Sequence, residues 1–144
     1  MKTAQSTDWK TLPLPKSRST IRLDRLFSAQ EMERIRQGLI PEQMEDKWFL
    51  YWQDDRLFFH RSWTGLCIFV VRFAPEGESY RMLEAEVNRD PEQYGQTSDD
   101  EDAHMISTLI DLLLLQRSAD LGDEPLAQWK LVGRAMLGQH PRGE

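Results

Sequence analysis

Residues 48–59 read Trp48-Phe49-Leu50-Tyr51-Trp52-Gln53-Asp54-Asp55-Arg56-Leu57-Phe58-Phe59. Together with Trp63, this stretch holds seven of the fourteen aromatic residues in a chain of 144. Successive side chains of a strand point to opposite faces, and residues 48–52 place large apolar side chains on both. A strand that is apolar on both faces is typical of a sheet centre that is covered on each side. The pattern therefore predicts a central strand over residues 48–52.

The segments that follow predict an antiparallel meander. A polar turn at residues 53–56 leads into residues 57–61, which favours a β-hairpin. β-Branched and aromatic side chains are dense in residues 66–73. Polar and apolar residues alternate in residues 80–87, as in an outer strand with one solvent-facing side. We expect four strands here, and the alternation of residues 21–25 allows a short fifth one.

Helix starts are visible at two serines. Ser28 and Ser98 each begin a Ser-x-x-Glu sequence, the capping box in which a hydroxyl and a carboxylate bond the free amides of a first helical turn. The first helix is expected to run for about three turns and to end near Gly38. The second carries a wide apolar stripe. A last helix is expected after Gly122, with Pro125 in its first turn and with Leu126, Trp129, Val132 and Met136 as its apolar residues.

These elements predict an α+β fold: an antiparallel β-meander of four to five strands with two or three helices packed mainly on one face. The chain length suits a single domain, which we place at residues 21–138. Prolines disfavour helix in residues 1–20, so we expect an extended lead-in there, with Trp9 docked on the domain. Residues 139–144 are expected to be a short C-terminal tail.

Charge and cysteine content restrict the classes of function. The net charge of −6 argues against general binding to nucleic acid or to anionic membranes. Residues 1–40 nevertheless hold eight basic and four acidic residues, which permits a local contact with an anion. Cys67 is the only cysteine, so no intramolecular disulfide forms and a cytoplasmic location is expected. The sequence has neither a signal peptide nor an apolar run of membrane-spanning length, so no membrane association is expected.

A cluster of polar and aromatic residues lies between the second and third predicted strands. In this turn Arg61 could bind a phosphate, and Ser62 and Thr64 could donate hydrogen bonds to it. Trp63 could stack on a base or a ribose. An ordinary turn is the alternative. The loop after the fourth strand lies at the same end of an antiparallel meander, so its residues could converge on the same ligand. The predicted ligand-binding residues are His60, Arg61, Ser62, Trp63, Thr64, Asn88, Arg89 and Tyr94.

Two clusters of acidic residues can each be interpreted either as a chemical site or as a structural feature. Simple alternation groups Met82 with Glu84 and Glu86 on one strand face, where the two carboxylates could serve acid–base chemistry or recognise arginine. Glutamates that alternate on an edge strand are more often a solvated face that prevents edge pairing. Residues 99–102 with His104 could be metal ligands, but a capped helix start explains them more simply. No metal site and no cofactor motif is predicted.

Three segments resemble a family of uncharacterised bacterial proteins. They are residues 44–52 (Met-Glu-Asp-Lys-Trp-Phe-Leu-Tyr-Trp), residues 57–65 (Leu-Phe-Phe-His-Arg-Ser-Trp-Thr-Gly) and residues 87–94 (Val-Asn-Arg-Asp-Pro-Glu-Gln-Tyr). Members of that family occur alone or joined to ADP-ribose-processing modules such as macro domains. The resemblance implies a bacterial cytoplasmic domain near ADP-ribose or NAD metabolism, and it implies no catalytic residue.

Three functions remain open from the sequence. The first is a non-enzymatic module that binds a small ligand or a partner, with a nucleotide or ADP-ribose as the ligand considered. The second is an enzyme acting on a phosphorylated or ADP-ribosyl substrate, with Glu84 or His60 as the base. The third is an antitoxin-like or structural partner protein, either a monomer or a homodimer.

Overall fold

The computed structural model describes residues 3–95 and 97–117. It confirms the predicted α+β fold, with one five-stranded antiparallel sheet and two helices. The elements are β1 (Arg18–Phe27), α1 (Ala29–Ile35), β2 (Trp48–Gln53), β3 (Arg56–Arg61), β4 (Cys67–Glu76), β5 (Ser79–Asn88) and α2 (Asp99–Leu109), which continues into a π-helical segment, Ile110–Leu114. The predicted last helix after Gly122 and the predicted tail over residues 139–144 lie outside the described residues.

The β2–β3 hairpin turns through two aspartates. Asp54 and Asp55 have φ angles of 55° and 60°, the conformation of a type I′ turn, whose twist matches that of the flanking strands. The turn places Tyr51 opposite Phe58. The predicted hairpin is therefore confirmed, and its register is set by the turn.

The strand order β1-β5-β4-β3-β2 corrects two predictions. β2 is an edge strand and not a central one, while β5 lies between β1 and β4 and is not an outer strand. The second apolar face of β2 is covered by the N-terminal segment, since Ala4 and Trp9 belong to the same apolar cluster as Phe49. The open edge of β2 is partly closed by Leu39, whose backbone pairs with that of Leu50. A strand can therefore be covered on both faces without lying at the centre of the sheet.

β1 is longer than the short strand that was expected. It spans ten residues and begins at Arg18, inside the predicted lead-in. The strand pairs antiparallel with β5, and Ile21, Leu23 and Phe27 are buried on its inner side. The long pairing explains why β5 is an interior strand.

A bulge in β5 changes which residues share a face. The pairing with β4 passes from Arg72–Glu84 to Phe73–Met82, so Leu83 is an extra residue in β5. Met82 is consequently buried in the core, together with Ala85 and not with Glu84. The grouping of Met82 with the two glutamates was therefore wrong, because simple alternation does not allow for a bulge.

The main core lies between the sheet and the helices. Both capping boxes are present as predicted, at Ser28 for α1 and at Ser98 for α2. Buried side chains from α1 and α2 join buried rings from the strands in one cluster; they include Met32, Ile35, Ile106, Leu109, Phe27, Phe59, Phe69 and Phe73. α1 spans two turns, shorter than expected. None of the described helices has the length and apolar character needed to cross a bilayer.

Residues 4–15, which we call the strap, run over the opposite face of the sheet. Three hydrogen bonds fasten the strap: Ala4 N–H donates to Gln37 O at 2.7 Å, Trp9 Nε1 to Ser62 O at 2.7 Å, and Leu12 N–H to the Gly65 carbonyl at 2.8 Å. The predicted docking of Trp9 is confirmed. The strap, together with Ile40, covers this face beside β2 and β3.

Candidate functional site

The outer face, by which we mean the sheet face away from the helices, carries two rows of side chains. Cross-strand partners in an antiparallel sheet lie on the same face, so the register defines each row. The floor row consists of Thr20, Glu86, Val70, Phe58 and Tyr51. The arginine row beside it consists of Arg22, Glu84, Arg72, Arg56 and Gln53.

A groove of about 640 Å³ lies over the floor row. The strap lines one side through residues 11–14, and His60 and Cys67 contribute on that side as well. Arg18 and Arg56 line the groove at its two ends. Pockets for small molecules typically have volumes of roughly 300–1,000 Å³ and combine apolar walls with a few polar groups. The groove has the size and the composition of such a pocket.

Three rings form one wall of the groove. Tyr51 and Phe58 are stacked with centroids 4.6 Å apart and an interplanar angle of 5°, while Tyr51 and His60 lie 5.7 Å apart at 15°. Phe58 is half-buried, whereas Tyr51 and His60 are largely covered. Burial raises the pKa of Tyr51, and the nearby Cys67 adds to this effect. The wall is therefore an uncharged stack of parallel rings, and Phe58, its half-buried end member, is the ring that can offer a face to a flat ligand.

His60 is held in one tautomer. Its Nδ1 lies 2.9 Å from the carbonyl oxygen of Gly65, which can only accept, so Nδ1 carries the proton. Burial lowers the pKa of His60, although the hydrogen bond to Gly65 opposes the shift. The ring is thus neutral at neutral pH, and Nε2 presents a lone pair. Nε2 has no hydrogen-bond partner in the described part of the chain.

The two groove arginines differ in how firmly they are held. Arg18 donates to the carbonyls of Pro15 at 2.8 Å and Leu14 at 3.0 Å, and it lies 3.5 Å from the Glu86 carboxylate. It therefore fastens the end of the strap. Arg56 is exposed and donates to Asp54 O at 3.4 Å. Among residues 3–95 and 97–117 it has no carboxylate partner, so its guanidinium is available to a ligand.

The predicted turn site is mostly internal. His60 lines the groove, but Arg61 is fully buried on the core side with its guanidinium 5.4 Å from the Trp48 ring. Ser62 donates to the Asp46 carbonyl at 2.6 Å. Thr64 accepts a hydrogen bond within the turn, from the backbone of the residue two positions on. Of these residues, only His60 therefore lines the groove.

Trp63 is the exposed member of the turn. Its Nε1 donates to the Met44 carbonyl at 3.0 Å, and Lys47 Nζ lies 3.8 Å from the ring centroid. The side chain is 37% exposed and does not line the groove. Trp63 therefore belongs to a separate surface, formed with the loop that precedes β2.

Asn88 connects the two loops, as the meander topology predicted. Its Nδ2 donates to Cys67 O at 2.9 Å, which places the loop after β5 beside the start of β4. The same amide donates to Gln93, and its oxygen accepts from the Asp90 N–H. The two loops therefore lie at the same end of the sheet, but of their predicted ligand-binding residues only His60 lines the groove. Asn88 itself is fully buried and links backbone segments.

Arg89 and Tyr94 meet at the start of α2. Asp102, which is fully buried, accepts from Arg89 at 2.7 Å, from Tyr94 at 2.9 Å and from Thr97 at 2.8 Å. Burial and the Asp102 charge raise the pKa of Tyr94. Burial alone would lower the pKa of Arg89, but Asp102 and Asp99 outweigh it and raise that pKa. This network joins the loop to the helix and does not reach the groove.

The paired glutamates are held by arginines. Glu84 lies 3.3 Å from Arg72 Nε, and Glu86 lies 3.5 Å from Arg18. Glu86 lines the groove, whereas Glu84 does not. The interpretation of these two glutamates as the solvated face of an edge strand was wrong, since β5 is an interior strand.

Metal and thiol chemistry have little support in the described part of the chain. No three His, Cys, Asp or Glu side chains there come together as metal ligands. Asp99 and Asp102 instead pair with Arg89. Burial raises the pKa of Cys67 to about 12, so the thiol is unreactive at neutral pH.

Sequence reasoning missed the residues that face the groove from the strands. Tyr51 and Phe58 were predicted as sheet residues, and Arg18 and Arg56 drew no attention. A signal was available, because the hairpin register places Tyr51 beside Phe58 and the arginine at position 56 one step further along the face. No comparable pattern in the sequence indicated that residues 11–14 of the strap line the groove.

No protein family model, no curated protein and no solved structure matches this chain. The resemblance to the bacterial family therefore stays a prediction.

Proposed function

We propose that the chain is a small-ligand-binding module whose ligand occupies the groove on the outer face. The single observation that supports this most is the combination of the aromatic wall, a stack that ends in the half-buried ring of Phe58, with an available arginine beside it. Phe58 and Tyr51 supply the wall, and Arg56 supplies the charge. A planar ring with an acidic group complements both features. Nucleotides and ADP-ribose are such ligands.

His60 adds a polar requirement to the groove. Its neutral ring offers the Nε2 lone pair, and a buried acceptor without a partner costs roughly 1–3 kcal/mol. Because this nitrogen is buried, a ligand with an N–H or O–H group beside its ring would satisfy it by displacing the side chains that cover it. The exocyclic amine of adenine and the hydroxyls of ribose are groups of that kind.

The test is ligand binding to groove variants. Titration calorimetry and thermal shift with AMP, ADP and ADP-ribose should detect binding to the wild type, since a ligand of the folded state raises its apparent stability. Phe58→Thr, which keeps a β-branched residue in the strand, should abolish binding. Trp63→Thr removes an aromatic ring outside the groove and should leave binding unchanged. Loss of binding in Trp63→Thr but not in Phe58→Thr would move the site to the turn.

An enzymatic role is the second candidate, and one observation favours it. A neutral imidazole whose buried Nε2 has no partner in the described part of the chain can act as a general base on a ligand that displaces its covering side chains. Glu84 is a weaker candidate because it is paired with Arg72 and does not line the groove. Chromatography of ADP-ribose or a nucleotide after incubation with wild type and His60→Gln would reveal turnover that depends on His60.

We further propose a cytoplasmic setting in which the module serves ADP-ribose or NAD metabolism, alone or beside an ADP-ribose-processing protein. The single buried Cys67 is compatible with a reducing compartment. The resemblance of residues 44–52, 57–65 and 87–94 to the bacterial family supports the metabolic link. Analytical ultracentrifugation would decide between monomer and homodimer.

A further inference from the structure

The arginine row contains a pair of like charges that face each other directly. Arg56 on β3 is the cross-strand partner of Arg72 on β4. The Phe73 N–H donates to Asp55 O at 2.9 Å, which makes that neighbouring pair a hydrogen-bonded one. Because the two kinds of pair alternate along an antiparallel ladder, Arg56 and Arg72 form a non-hydrogen-bonded pair. In such pairs the Cα atoms lie about 4.5 Å apart and the side chains are closest.

The carboxylates of the row do not balance its arginines. Glu84 pairs with Arg72 through Nε, so the terminal nitrogens of Arg72 remain available on its outer side. Arg56 has only the weak contact with Asp54 O. Arg22, opposite Glu84, forms no ion pair with any described residue. Three arginines and one glutamate thus leave two positive charges on one row of a chain whose net charge is −6.

Protection of a sheet edge does not account for this arrangement. Exposed charges on an edge strand prevent pairing with other chains, and this explains Arg22 on β1. β3 and β4 are interior strands with a neighbour on each side. Like charges directly opposite each other destabilise a sheet, and any neutral polar residue would keep the face soluble without that cost. An anion within reach of both side chains would remove this repulsion.

We propose that Arg56 and Arg72 together bind a phosphoryl group at the mouth of the groove. Each guanidinium presents parallel N–H donors that match two oxygens of one phosphate, and the phosphate supplies the negative charge that Arg56 lacks. Arg56 also lines the groove, so the phosphate lies next to the aromatic wall of Phe58 and Tyr51. This inference rests in part on the proposed function and names its ligand class: a planar compound that carries a terminal phosphoryl group. Free inorganic phosphate shares the chemistry of the site without needing the groove.

The experiment measures phosphate binding by the full chain and by matched variants. The thermal midpoint is followed as inorganic phosphate replaces chloride at constant ionic strength, and 31P NMR line broadening reports binding directly. We expect the wild-type midpoint to rise, and Arg56→Gln and Arg72→Gln each to weaken phosphate binding by about tenfold or more, the loss of one charge-assisted pair. Arg34→Gln removes an equal charge from α1, on the other side of the sheet, and should bind like the wild type.

A second pair of variants separates binding from folding. Arg56→Lys and Arg72→Lys keep the charge but lose the paired donors, so they should fold as the wild type does and bind phosphate with an intermediate affinity. In phosphate-free buffer, Arg56→Gln should melt no lower than the wild type because the substitution relieves the repulsion. A midpoint rise that is the same in Arg56→Gln, Arg72→Gln and Arg34→Gln overturns the inference.

The outcomes also distinguish this inference from the proposed function. If inorganic phosphate binds through Arg56 and Arg72 while no nucleotide binds, the phosphate site stands and the groove proposal fails. If AMP or ADP-ribose binds in a manner that depends on Phe58 but not on either arginine, the groove proposal stands and the phosphate site fails. If AMP binds the wild type more tightly than adenosine and this advantage disappears in Arg72→Gln, both proposals stand.

Discussion

His60 donates a hydrogen bond from Nδ1 to the carbonyl oxygen of Gly65, 2.9 Å away. The same oxygen accepts the backbone N–H of Leu12 at 2.8 Å. One carbonyl therefore joins the aromatic wall of the groove, the turn between β3 and β4, and the strap. The shared acceptor fixes the imidazole tautomer and at the same time fastens the strap that encloses the groove.

The first prediction concerns stability as a function of pH. Burial lowers the pKa of His60 below its ordinary value of 6.5, while the unfolded chain keeps the ordinary value. Between these two pKa values the unfolded state binds more protons than the folded state, so stability falls as the pH drops below about 6.5. Above that pH the group has no effect. In urea titrations from pH 7.5 to 5.5, His60→Gln should lose less stability than the wild type; equal losses would contradict the prediction.

The second prediction compares two glycines with similar backbone angles. Gly38 has φ +67°, and a Cβ placed there would lie 2.3 Å from the Leu50 carbonyl oxygen and 3.0 Å from the Cβ of Ala4. Gly77 has φ +65°, and a Cβ there would meet nothing within 4 Å. We expect Gly77→Ala to lower the free energy of unfolding by about 1–2 kcal/mol, the cost of the left-handed conformation. Gly38→Ala should cost at least about 3 kcal/mol, because it also breaks the Leu39–Leu50 bridge. Chemical denaturation of both variants measures the difference.

The local chemistry of the sequence was enough to predict several elements. The capping boxes at Ser28 and Ser98 depend on contacts between residues three positions apart, and the structure has both. The β2–β3 hairpin depends on a two-residue turn at Asp54 and Asp55, and it too is present. Each of these features is specified within a few residues. Because they are local, these features could be predicted without any knowledge of the remaining chain.

Long-range register was not accessible in this way. Arg22, Arg56, Arg72 and Glu84 are far apart in the sequence and become one row only through pairings between four strands. One misplaced residue shifts every side chain of a strand to the other face, and the bulge at Leu83 is such a change. The outer-face site therefore could not be assembled before the register was known.

The third prediction concerns the network at the start of α2. Asp102 is fully buried and accepts from Arg89, Tyr94 and Thr97. Asp102→Asn removes the partner of a partly buried guanidinium and should lower the free energy of unfolding by about 3–5 kcal/mol. Asp100→Asn, an exposed carboxylate in the same helical turn, should cost less than about 1 kcal/mol through the helix dipole. Comparable urea midpoints for the two variants would contradict a structural role for Asp102.

The fourth prediction concerns the strap and the aromatic run. Trp9 covers the apolar side of β2 beside Phe49, and its Nε1 bonds the Ser62 carbonyl. Trp9→Ala removes both contributions and should lower the free energy of unfolding by about 2–4 kcal/mol. Removing the Trp9 ring uncovers the aromatic face of β2, and an exposed apolar patch of this kind can associate with another chain. We therefore expect Trp9→Ala to associate as protein concentration rises in light scattering, while Leu12→Ala, which removes a half-exposed side chain from the same strap, stays like the wild type. Monodisperse Trp9→Ala with wild-type stability would show that the strap is not what shields the aromatic face of β2.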